Sequence, residues 1–81
     1  MDIVRTIEQA LDWQDAEKPE NESRSVYIRL AWGEVRAVDV SFTDEDDATM
    51  TIVTTSSDTI DQRIIAPTSS ALAVRRHTRI F

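Results

Sequence analysis

The sequence predicts a small α+β domain: an N-terminal amphipathic helix packed on an antiparallel meander of four or five strands. Three observations predict it. Residues 2–16 carry apolar side chains at helical spacing. From residue 25 onward the apolar period shortens to two, the period of a half-buried strand. The later apolar runs are separated by short polar stretches, so neighbouring strands are expected to pair in order. The helix must then cover one sheet face to bury its stripe.

The elements follow in chain order. Ile3, Val4, Ile7, Ala10, Leu11 and Gln14 fall on one side of a helical wheel, with Arg5, Glu8 and Asp12 opposite. Asp2 is the candidate N-cap. Trp13 lies at the edge of the stripe and reads as a rim residue of the core; an exposed anchor for a partner is the other reading. The stretch "EKPENESR" (17–24) contains Pro19 and almost nothing apolar, so it is a loop. Val26, Ile28, Leu30 and Trp32 then alternate with Tyr27, Arg29 and Ala31, which predicts a strand over about 26–32. Gly33, the only glycine, predicts a turn at Trp32–Gly33.

"EVRAVDVSF" predicts a second strand over 34–42. A helix over 26–38 competes, since Ile28, Trp32, Val35 and Val38 also share a helical face, but the Val and Phe content favours strands. "ATMTIVTT" (48–55) predicts the third strand, with Met50 and Ile52 inward. "IDQRIIA" (60–66) predicts the fourth, ended by Pro67. The last run, strand 71–80 with Phe81 continuing its alternation, places Leu72, Val74, Thr78 and Ile80 on one face with Arg76 as an intruder, and Arg75, His77, Arg79 and Phe81 on the other. Its charges suit an edge strand; a short helix starting at Ser69 or Ser70 competes.

Bulk properties exclude several classes. A chain of 81 residues makes one domain and buries only about 60–65% of its unfolded surface. The absence of cysteine excludes a disulfide framework and any thiolate metal site. No run of about 18 apolar residues exists to span a membrane. The start "MDIVRTIEQALDW" lacks the basic and apolar regions of a secretory signal. A soluble, cytoplasmic protein is expected.

Charge is unevenly placed. All fifteen acidic side chains fall within residues 1–61 beside five basic ones, a formal −10, whereas residues 62–81 hold four arginines and no acid. A negative field repels nucleic acid and anionic membranes and attracts basic surfaces.

Asp44, Glu45, Asp46 and Asp47 form an unbroken acidic run. As a calcium loop it fails: counted from Asp44, the fifth position is Ala48, the sixth Thr49 and the twelfth Thr55. As a turn it is reasonable, because aspartate hydrogen-bonds local backbone. Four adjacent like charges nevertheless repel, so a partner-facing surface is the third reading. Asp58 and Asp61 would extend that surface if the hairpins stack side by side.

Arg75, Arg76, His77 and Arg79 are the candidate oligomer or anion contacts. Arginine makes bidentate bonds to phosphate, but no glycine-rich cradle or aromatic ladder accompanies them. The acidic body disfavours direct nucleic-acid binding. Self-association through this strand, with its arginines on carboxylates of a second copy, is the other use. His77, the sole histidine, needs an orienting carboxylate and a nearby nucleophile to act as a base, and flanking arginines disfavour its imidazolium. No enzyme activity, cofactor or metal is expected.

In overall character the chain is similar to small inhibitors and immunity proteins of phages and mobile elements, a resemblance of type that rests on no particular residues. The expected function is a non-enzymatic module. Its acidic loops would occupy a basic, nucleic-acid-binding surface of a target protein, carboxylates standing where phosphates would. A homo-oligomer built on strand 71–80, or an anionic-ligand binder using it, are the alternatives.

Overall fold

The computed structural model describes residues 2–55 and 61–81. Among the described residues there is one helix, α1 (Ile3–Asp15), and six strands: β1 (Glu22–Leu30), β2 (Gly33–Ala37), β3 (Asp39–Thr43), β4 (Thr49–Thr55), β5 (Asp61–Pro67) and β6 (Ala71–Ile80). They form two three-stranded antiparallel sheets, ordered β2-β1-β6 and β3-β4-β5. The α+β class holds. The single four- or five-stranded meander does not.

The helix forms where its stripe predicts. The Asp2 carboxylate accepts from the Arg5 N–H at 3.3 Å, which caps the first turn. Ile7, Ala10 and Leu11 are buried. At the other end, Lys18 Nζ donates to the Gln14 carbonyl (2.8 Å) and Arg24 Nη1 to the Trp13 carbonyl (2.8 Å). Two cations therefore meet the negative end of the helix dipole.

The run 34–42 is two strands because its alternation slips. Val35 and Ala37 face the core, then Val40 and Phe42, so Val38 and Asp39 are consecutive outward residues. A one-residue slip turns the second half toward a different sheet. The Val38 N–H donates to the Val53 carbonyl at 2.8 Å, which joins the bend to the second sheet. Gln14 secures the same corner: its Oε1 accepts from Val26 N–H (3.1 Å) and its Nε2 donates to the Val38 carbonyl (3.2 Å).

The last strand does not follow β5 in its sheet. It returns to β1, from Glu22 beside Ile80 to Leu30 beside Ala71, and forms the edge of the first sheet. Neither 26–38 nor 71–80 is helical: the first is two strands joined by the turn at Ala31–Trp32 and ending in the bend at Val38, and the second is one strand preceded by a 3₁₀ turn at Thr68–Ser70. A register shift between Arg29 and Leu30 leaves Leu72 outside the ladder and 62% exposed. Trp32 is not inward either. It stands at the tip of the two-residue turn Ala31–Trp32, 62% exposed, and Gly33 closes the turn with φ +144°.

One apolar cluster joins all three layers: Ile7, Ala10 and Leu11 from the helix, Val26, Ile28, Leu30 and Ala37 from the first sheet, and Val40, Met50, Ile52 and Ala66 from the second. Met50 and Ile52 are fully buried, as their parity predicts. Among the described residues no helix is long and apolar enough to cross a membrane.

Candidate functional site

The first sheet turns Val26 and Ile28 to the core, so Tyr27 and Arg29 must point the other way. Register then decides their neighbours. Tyr27 lies beside Arg36 and Arg75, Ser25 beside His77, Ser23 beside Arg79, and Arg29 beside Glu34 and Ala73. The outer face of this sheet therefore gathers Arg29, Arg36, Arg75, Arg79 and His77 around Tyr27, with Glu34 as its carboxylate. A strongly basic face forms on a chain of net charge −6.

Arg75 is the fixed point of this face. Its Nη2 donates to Glu34 Oε1 at 2.7 Å and its Nε to Glu34 Oε2 at 3.2 Å, a two-pronged pair. Its Cζ also lies 4.3 Å from the centroid of the Tyr27 ring. The hydrogen bonds from Arg75, helped by its charge and that of Arg29, hold the Glu34 carboxyl below the usual carboxylate range. Glu34 in turn raises Arg75. Tyr27 meets His77 edge to face, with centroids 6.5 Å apart. Among the described residues, no carboxylate lies within 4.0 Å of Arg29, Arg36 or Arg79. At the Leu72 end the face opens into a cleft of about 510 Å³ lined by Arg29, Leu30, Ala31, Gly33, Glu34 and Leu72.

The structure divides the predicted basic set. Arg75, His77 and Arg79 share the outer face. Arg76 lies opposite Val26 on the helix side, its Cζ 5.4 Å from the Trp13 ring centroid. Arg24 approaches the same ring at 5.2 Å and pairs with Glu22 at 3.1 Å, so Trp13 is a half-buried rim residue between two guanidiniums. Tyr27, Arg29, Glu34 and Arg36 were missing from the sequence-based set. The parity of β1 placed Tyr27 and Arg29 together. Which strand lay beside them was not readable from either segment.

The acidic run is the β3–β4 connection. Glu45–Asp47 is a tight turn with non-helical backbone inside it, and Asp44, Asp46 and Asp47 take left-handed φ values of 67°, 57° and 56°. Thr49 donates its hydroxyl to the Asp44 carboxylate. The buried Thr68 donates its hydroxyl to the Asp47 carbonyl and its N–H to the Ala48 carbonyl (2.8 Å). The loop is thus docked on the β5–β6 turn, and all four of its acidic residues are exposed. Among the described residues no three carboxylate or histidine groups are placed to share a cation.

Asp61 does not extend this patch. It pairs with Thr55 at the far end of β4, whereas the acidic run precedes Thr49. Six residue steps separate the two ends, about 20 Å along a strand. Asp58 lies outside the described residues.

No family model, curated protein or solved structure matches this chain.

Proposed function

We propose that the protein is a non-enzymatic binding module whose basic sheet face receives an acidic surface of another protein. One observation carries this reading: the β2-β1-β6 register collects four arginines and a histidine on one open face beside a single glutamate, among the described residues. Such a face sets on-rate and specificity more than raw affinity. An acidic protein suits it better than nucleic acid. Arg75 already lies over the Tyr27 ring, so that ring offers less of a platform for stacking a base.

The test is retention at pH 7 on immobilised polyglutamate and on immobilised single-stranded DNA, as salt rises from about 0.05 to about 1 M. Retention on polyglutamate that is lost with salt, and lost in the triple variant Arg29→Gln/Arg36→Gln/Arg79→Gln, is expected. Passage through polyglutamate at the lowest salt overturns the reading.

A second reading rests on Asp44. Its φ 67°, ψ 173° belong to a region that is essentially glycine-only, yet an acid stands there. A docked, strained acidic loop fits a module that presents carboxylates to a basic, nucleic-acid-binding surface, as a cytoplasmic inhibitor would. Binding to polylysine that is unaffected by Asp44→Asn/Asp46→Asn/Asp47→Asn sinks it. Two surfaces of opposite sign also permit head-to-tail self-association, which light scattering at low and high salt detects.

A further inference from the structure

We infer that the free edge of β6 is the docking line of the basic face, and that an extended acidic segment of the partner adds there as a fourth strand. This rests on the reading that the face takes an acidic partner. β6 is ten residues long and, among the described residues, is bonded on one side only, to β1. Its other side presents unpaired N–H and C=O groups at alternate residues. The opposite edge, β2, has five residues and runs straight into the Val38 bend, so it offers a shorter template. The bulge at Leu72 leaves 73–80 as the regular part of the β6 edge.

Charge selects the occupant. β6 carries three arginines and no acid. Arg75, His77 and Arg79 stand at every second position on the outer face, about 7 Å apart. Carboxylates at every second position of an added strand fall opposite or diagonal to them. Arg75 is already ordered by Glu34 and Tyr27. Arg79 has no carboxylate within 4.0 Å among the described residues. On the helix-side face of the same strand Arg76 is turned toward the Trp13 ring, and Val74, Thr78 and the exposed Ile80 favour neutral or branched residues between the acids.

A second copy of β6 is a poor occupant in the central registers, which give the longest overlap. Antiparallel self-pairing centred on Arg75 or Arg76 sets that arginine against itself, and centring on His77 sets Arg75 against Arg79. Like charges directly opposite destabilise a sheet.

The probe is a capped nine-residue peptide alternating glutamate and threonine, with a copy N-methylated at the backbone amides of one edge and another at those of the other edge. Amide hydrogen exchange and titration are read together at low salt. Expected are binding of the parent, new protection of alternate amides within 73–80, and a loss of roughly tenfold or more in affinity for one methylated copy, since several backbone bonds are removed at unchanged charge. If both methylated copies bind like the parent and β6 amides gain no protection, the strand-addition mode is overturned while the acidic-partner reading survives. No binding of the parent overturns both. Protection that appears on raising protein concentration alone overturns it in favour of a second copy. An oligothymidylate that binds while the peptide does not overturns it in favour of nucleic acid.

Discussion

Arg75 on β6 holds Glu34 on β2 across the whole width of β1, through contacts of 2.7 and 3.2 Å. The pair therefore ties together the two edges of the first sheet. It is exposed, so salt screens it and its stabilisation is small. Because Arg75 depresses the Glu34 carboxyl below 4.5, its contribution is present above the unfolded-state value and is lost as pH falls through the folded one. The urea-midpoint difference between the protein and Glu34→Gln is expected to shrink as pH falls from about 5 to about 3. A difference that does not change with pH contradicts this.

Gln14 should be sensitive to changes that keep its size. Gln14→Leu removes the partners of the Val26 N–H and the Val38 carbonyl, and is expected to cost about 1–3 kcal/mol in urea unfolding with an unchanged slope. Gln14→Glu keeps the acceptor for Val26 and loses the donor to Val38, so it should also destabilise the fold.

Ile28 and Ile52 lie in different sheets and one core cluster. Ile28→Ala and Ile52→Ala are each expected to cost about 2–5 kcal/mol. Near- and far-ultraviolet circular dichroism should report a single coincident transition in both. Separate transitions would show that the sheets do not share their stability.

The acidic loop separates stability from binding. Asp44→Gly relieves the glycine-only conformation and is expected to raise stability by about 1 kcal/mol, less whatever the Thr49 hydrogen bond contributes. Thr68→Val removes the hydroxyl bond to the Asp47 carbonyl and should lower stability by about 1–2 kcal/mol, with faster amide exchange near Ala48. Equilibrium unfolding and exchange measure both. A more stable Asp44→Gly protein that binds polylysine more weakly would give that carboxylate a functional role.

Local pattern was enough for the elements themselves. The stripe of α1, the cap at Asp2, the inward Met50 and Ile52, and the edge character of 71–80 are written in side-chain spacing, because burial on one face imposes a period. The corner was also present in the sequence, as the outward pair Val38–Asp39. It was read through, because a slip of one residue inside an apolar run looks like ordinary variation. Trp32 was misplaced for a related reason: continuing a strand's alternation into a two-residue turn puts the tip residue on a face that no longer exists.

Partnership was left to tertiary structure. Backbone hydrogen bonds are the same for any strand, so nothing local in 71–80 names β1 as its neighbour rather than β5. That choice is made by the shared core of helix and two sheets, where Val74 lies beside Ile28. It brings Arg75, His77 and Arg79 onto one face with Tyr27, Arg29 and Arg36, residues distant in the chain. The same non-local packing docks the acidic run on Thr68 and sends Asp61 to the far end of β4. Charge content and strand parity came from the sequence alone. The assembly of those charges into a basic face waited on a pairing that only long-range burial could select.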